Sequence, residues 1–138
     1  MEATIVGLAE RIATEAHAGQ YRRDGSTPYI EHPRAVASRV GSDPNAQVVA
    51  WLHDVLEDSD LTADHLLENG IPRHCADAVE LLTKSEDTDY ETYLERVAQS
   101  PLATKVKIAD MISNLADSPS TKQLKKYAEG LMRLTREL

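Results

Sequence analysis

The sequence predicts an all-α bundle of about seven or eight helices. Apolar residues recur at helical spacing along almost the whole chain. No window alternates apolar and polar residues long enough to read as a strand. Proline also stands just inside several helix starts, in His32-Pro33, Asp43-Pro44 and Ser100-Pro101, where its missing N–H costs nothing.

Each element follows in order. Ile5, Leu8, Ala9 and Ile12 mark the buried face of a first helix, predicted from about Glu2 to Ala18. Gly19 to Pro28 reads as a loop, with Gly25 and Pro28 as its breakers. A second helix starts at His32-Pro33 and ends at Gly41, and a third runs from Asp43-Pro44 through about Glu57. Thr62 caps a short helix that stops at Asn69-Gly70, and Pro72 opens the next. After a polar break from Leu82 to Asp89, helices are predicted over Tyr90 to Ala98, Pro101 to about Ala116 and Thr121 to about Glu137. None of the breaks reads as an interdomain linker, so one domain is expected over residues 1–138, with no further catalytic or regulatory segment. Phe is absent and Trp occurs once, so the core must rest on Leu, Val, Ile and Ala.

Composition narrows the function classes. With 41% hydrophobic and 28% charged residues, the chain is globular in character. Its one cysteine, Cys75, excludes an internal disulfide and a multi-cysteine zinc site. No apolar run approaches the roughly 20 residues of a membrane span, and Met1–Gly7 has no basic-then-apolar leader, so a cytoplasmic protein without a membrane partner is expected. Fifteen basic against 23 acidic residues leave a charge of −8, which argues against nucleic-acid binding.

The stretch that carries chemistry is Trp51-Leu52-His53-Asp54-Val55-Leu56-Glu57-Asp58. At about 100° per residue, His53, Asp54, Glu57 and Asp58 share one arc, and the apolar residues fill the other. A solvated acidic helix end is the commoner meaning of such a pattern. Two observations weigh against it here. Carboxylates late in a helix oppose its dipole. From Val40 to Pro72 there are also seven acidic residues and no Lys or Arg, so these carboxylates lack a local cationic partner of the kind a bound metal ion could supply. Asp110 raises the same question, because it lies in the otherwise apolar turn Val106-Lys107-Ile108-Ala109-Asp110-Met111-Ile112. A buried carboxylate needs a donor, a cation or a metal, and a plain Lys107–Asp110 pair would also satisfy it. A lone His32 at a loop-to-helix junction is more often packed than ligating. His17, His65 and His74 have no partner at metal-ligand spacing, and the last two read as surface positions.

His32, the doublet His53-Asp54 and the distant Asp110 reproduce an ordered H…HD…D pattern, which resembles the HD-domain metal-dependent phosphohydrolases. More narrowly, the chain is similar to the hydrolase domain of the RelA/SpoT alarmone enzymes and to small alarmone hydrolases of the metazoan SpoT-homologue type. The segments that carry this are Ala16-His17-Ala18-Gly19-Gln20-Tyr21-Arg22, Pro28-Tyr29-Ile30-Glu31-His32-Pro33, Leu52 to Asp58 and Lys107-Ile108-Ala109-Asp110. The resemblance implies an HD-type helical bundle in which His32, His53, Asp54 and Asp110 hold a divalent metal, usually manganese. It implies Glu57 and Asp58 as the acidic pair that activates water, and Arg22, Arg23, Asn114 and, more loosely, Tyr127 as contacts to a small-molecule nucleotide. The implied reaction removes the 3′-pyrophosphate from guanosine 3′,5′-bis(diphosphate). Met111 and Ser113 depart from the family's usual Arg and His, and Ser59 replaces its Thr. Other readings are hydrolysis of an adenosine alarmone or NADPH, and a non-catalytic module that binds nucleotide or protein.

Overall fold

A computed structural model describes residues 4–136. Among them are nine helical segments and no strand. They are α1 (Ile5–Ala16), α2 (Glu31–Ser38), α3 (Pro44–Leu52), α4 (Val55–Asp58), α5 (Ala63–Glu68), α6 (Arg73–Leu82), α7 (Tyr90–Ala98), α8 (Pro101–Leu115) and α9 (Thr121–Thr135). The predicted ends at Glu2 and Glu137 lie outside the described residues. Most starts are fixed by a side chain that accepts an otherwise unpaired N–H: Thr4 from Gly7, Asp43 from Asn45, Asp89 from Thr92 and Ser100 from Ala103.

The middle of the bundle is α3, with α1, α2, α6 and α8 packed around it. Val48, Val49, Ala50 and Leu52 have no exposed surface. A helix apolar on every side belongs in the interior, and its buried C-terminal end delivers His53 to the centre of the molecule.

The sequence predicts one helix through Glu57, whereas the chain breaks after Leu52. His53 Nδ1 donates to the Ala50 carbonyl at 2.6 Å. That side-chain bond competes for a carbonyl that would otherwise accept the Asp54 N–H, and Asp54 relaxes to φ −104°, ψ −1°. One further turn, α4, then carries Glu57 and Asp58.

The Gly19–Pro28 loop is a small hairpin closed by an isolated antiparallel bridge between Tyr21 and Pro28. Its apex is held by Asp24, which accepts the N–H groups of Ser26 and Thr27 at 2.9 and 2.8 Å. Gly25 adopts φ +75°, a conformation that side chains disfavour.

At the other side, α9 packs on α8 through Gly130. A Cβ at that position would stand 2.7 Å from Met111 Cε, and Met111 has no exposed surface. Gly130→Ala is therefore expected to destabilise the bundle by about 1–3 kcal/mol, the usual cost of overpacking. Urea unfolding measures this, and an unchanged midpoint would mean that the methionine repacks freely.

Candidate active site

Four side chains from three parts of the chain meet beside the end of α3. His32 comes from the first turn of α2, His53 and Asp54 from the α3–α4 break, and Asp110 from α8. His32 Nε2 lies 2.8 Å from Asp110 Oδ1 and 3.8 Å from Asp54 Oδ2. His53 Nε2 lies 3.1 Å from Asp54 Oδ2 and 3.4 Å from Asp110 Oδ1. One ligand atom each from His32, His53 and Asp110 falls within 4.8 Å of the others, and all three residues are buried.

The donor chemistry tests whether a cation fits here. Because His53 Nδ1 holds its proton against Ala50, a neutral ring presents a bare lone pair at Nε2. That atom is buried and has no hydrogen-bond partner among the described residues, yet it faces two carboxylate oxygens. Three electron-rich atoms in contact demand a positive charge between them. Without a metal, a proton must serve. Burial alone would push the His53 imidazolium down, but Asp54 and Asp110 carry it well above its ordinary value. Two imidazoles and two carboxylates make a mixed N/O set suited to a divalent transition metal.

The two oxygens of Asp110 divide their work. Oδ1 faces the histidines and accepts Asn114 Nδ2 at 3.1 Å, and Oδ2 accepts Lys107 Nζ at 2.8 Å. The Lys107–Asp110 pair and the histidine cluster therefore coexist. Burial works against the Asp110 carboxylate, but Lys107, His32 and His53 hold it well below the usual range. Asp54 Oδ2 accepts Tyr29 Oη at 2.7 Å, a contact between residues 25 apart that no local pattern in the sequence announces.

Around this cluster stand the other expected site residues. Glu57 and Asp58 are exposed on α4 at its mouth. Glu57 Oε1 accepts the Lys84 N–H at 2.6 Å. Partial desolvation and the nearby Asp54 charge push both carboxyls up. Arg22 Nη2 donates to Asn114 Oδ1 at 3.3 Å and pairs with Asp117 Oδ2 at 3.0 Å, and its guanidinium lies 5.6 Å from the Tyr29 ring centre. Arg23 donates to the Asp117 carbonyl at 3.2 Å. Tyr127 is half-buried on α9, with Lys126 Nζ 5.5 Å from its ring centre.

A cleft of about 340 Å³ opens over His53, Asp54 and Glu57, and Lys84, Lys107 and Lys126 line it. Lys84 and Lys126 carry no local signal of a role, since only the fold brings the α6–α7 connection and α9 to this cleft. They bring positive charge to a cleft that also holds Asp54 and Glu57, in a chain of net charge −8. The remaining histidines divide differently. His65 joins the α5 cap and His74 bonds Asn45 in exposed surroundings, but His17 is buried against Tyr29 with ring centres 4.8 Å apart.

Comparison with known proteins gives a consistent set of relatives. The chain is 33% identical over 144 residues to a probable GTP pyrophosphokinase of Mycobacterium leprae, covering 93% of this chain and 18% of that protein. It is 38% identical over 112 residues to a guanosine-3′,5′-bis(diphosphate) 3′-pyrophosphohydrolase of Haemophilus influenzae, covering 77% of this chain and 16% of that one. It thus spans less than a fifth of either relative. Among solved structures, a metazoan orthologue of SpoT, described as hydrolysing ppGpp, shares the fold with a TM-score of 0.79. That match covers 99% of this chain and 86% of the other, at 21% identity. No family model matches the chain.

Proposed function

The chain is related to the RelA/SpoT synthase/hydrolases along nearly its whole length, and on that premise we propose that it is a metal-dependent hydrolase of guanosine 3′,5′-bis(diphosphate) that removes the 3′-pyrophosphate. The observation that carries the reading is the bare, buried Nε2 of His53 facing Asp54 and Asp110. His32, His53, Asp54 and Asp110 would hold the metal, proposed as manganese from the family resemblance. Such an ion, when bound, supplies Lewis acidity and lowers the pKa of water.

The chain's own residues do the rest. Glu57, which lines the cleft with His53 and Asp54, would accept a proton from the attacking water, with Asp58 as the second candidate. Arg22 and Arg23 offer forked donors to phosphate oxygens, and Arg22 also sits over the Tyr29 ring. Asn114 bonds both Asp110 and Arg22, so it sets the nucleotide-facing guanidinium relative to the metal ligands. Tyr127 would be a further contact to the nucleotide, a role that rests on the family resemblance alone.

The residues that depart from the family pattern are engaged in packing. Met111 is buried in the core, and Ser113 Oγ donates to the Ala109 carbonyl while accepting Arg39 Nη1. The cytoplasm is the proposed compartment.

The test is product analysis over a nucleotide panel with and without manganese. The expected result is pyrophosphate and guanosine 5′-diphosphate, dependent on the metal. Turnover of an adenosine alarmone or NADPH in its place would reassign the substrate, and no hydrolysis with manganese present would leave a binding module.

Arg22→Ala separates binding from chemistry. A guanidinium bond to phosphate is worth about 1.5–3 kcal/mol, so kcat/KM should fall roughly ten- to hundredfold, through KM, with metal content unchanged. Arg22→Lys should recover part of the loss, since an ammonium has no planar fork. Unchanged kinetics in Arg22→Ala would remove this loop from the binding site.

A further inference from the structure

We infer that Gln20 is a positioning residue that straps the nucleotide-binding hairpin to the turn bearing Glu57 and Asp58. The inference rests on the hydrolase reading above and deepens it. Its starting point is α4, a helix of four residues that bears both exposed carboxylates. A single turn is unstable by itself, and its last carbonyls have no partner within it. Ser59 Oγ donates to the Val55 carbonyl at 2.7 Å, and Gln20 Nε2, from 38 residues earlier, donates to the Asp58 carbonyl at 2.8 Å.

The orientation of the Gln20 amide is fixed. Its Nε2 also donates to the Ala16 carbonyl at 3.3 Å, so the nitrogen faces two acceptors. Its Oε1 must then accept, and it meets His17 Nδ1 at 2.8 Å. The buried His17 ring, packed on Tyr29, thus holds the amide the right way round. A flipped amide would put an oxygen against the Asp58 carbonyl.

Gln20 also lies where the other parts of the site meet. Its carbonyl accepts the Tyr29 N–H at 2.9 Å, and Tyr29 in turn donates to Asp54. Two residues on, Arg22 is pinned into the hairpin by its N–H to the Thr27 carbonyl. One residue therefore fixes the acidic turn relative to a metal-ligand carboxylate and to the guanidinium that would grip the nucleotide. Loss of the strap should displace the base, with the metal cluster left in place.

Gln20→Glu removes the donations of Nε2 to Asp58 and to Ala16, while a carboxylate can still accept from His17. Gln20→Ala removes both ends. Both sit on a partly exposed loop residue, so folding is not at stake. We expect kcat for the guanosine substrate to fall roughly ten- to hundredfold in each, the scale of a small misplacement of a reacting group, with KM within about threefold and metal content unchanged. His17→Asn, which keeps a donor near the place of Nδ1, should retain more turnover than His17→Leu.

A second arm needs no substrate. Hydrogen exchange over residues 55–62 of the metal-free protein should speed up in both Gln20 variants, with α3 and α8 unchanged. If Gln20→Glu keeps wild-type kcat and wild-type exchange, the inference is overturned. A fall in kcat and rise in KM that track a global loss of protection also overturn it, because they mark a merely structural residue. Should the unsubstituted protein hydrolyse nothing, the functional reading fails, and the exchange comparison alone decides whether the strap exists.

Discussion

Asp110→Asn is expected to lose both metal retention and turnover. The amide keeps the shape of the side chain and removes the charge that faces His32 and His53. A Lewis acid contributes several kcal/mol to such chemistry, so its loss corresponds to about a thousandfold or more in rate. Stability should fall as well, because Lys107 is left without its carboxylate. Breaking a buried pair from one side costs about 3–5 kcal/mol, with the lower end expected here because the lysine can shed its proton. The pH dependence has a defined sign. The folded Asp110 carboxyl is depressed, so its stabilisation is present above the unfolded value of about 3.9 and is lost only as pH falls through the folded one. The variant should accordingly show a weaker acid dependence than wild type. Metal content per chain and urea unfolding at neutral pH measure the two effects, and one retained metal with full activity would refute the assignment.

The second large effect is expected from Glu57→Gln, which should keep the metal and lose about a hundred- to ten-thousandfold in kcat. The amide can still accept the Lys84 N–H through its oxygen, so the turn should hold its position. What disappears is the basic oxygen. Partial desolvation and Asp54 push the Glu57 carboxyl above its ordinary value. The acid limb of kcat/KM should therefore lie above pH 4.5, with activity falling as the pH drops through it. Near-wild-type rates in Glu57→Gln beside an inactive Asp58→Asn would exchange the two roles.

Much of this architecture is legible in the sequence because it is written locally. Asp43, Thr62 and Ser100 cap helices where their side chains can only do that, and Pro44 and Pro101 sit where a missing N–H is harmless. The apolar surroundings of Asp110 already demand a partner, and Lys107 at i−3 already offers one. The break after Leu52 is different. The apolar pattern runs unbroken through Val55 and Leu56, and the bond from His53 to Ala50 that interrupts the ladder depends on the ring being pulled toward Asp54 and Asp110. Tyr29 on Asp54, Lys84 on Glu57 and Gln20 on Asp58 are equally invisible to any local rule. Each joins residues at least 25 apart, and only the fold creates the contact.

The pairing of Arg22 with Asp117 has a consequence for discrimination among anions. Asp117 is 57% exposed, so the pair is worth at most about 1 kcal/mol and yields easily. Yet a guanidinium already matched by a carboxylate is a poor trap for passing monoanions, which would trade one partner for another at no gain. A ligand with several negative charges can evict Asp117 at one point and still collect bonds at others. The resident carboxylate thus acts as a threshold that ranks solutes by charge multiplicity. It also spares a protein of charge −8 a naked cationic mouth open to every phosphate in solution.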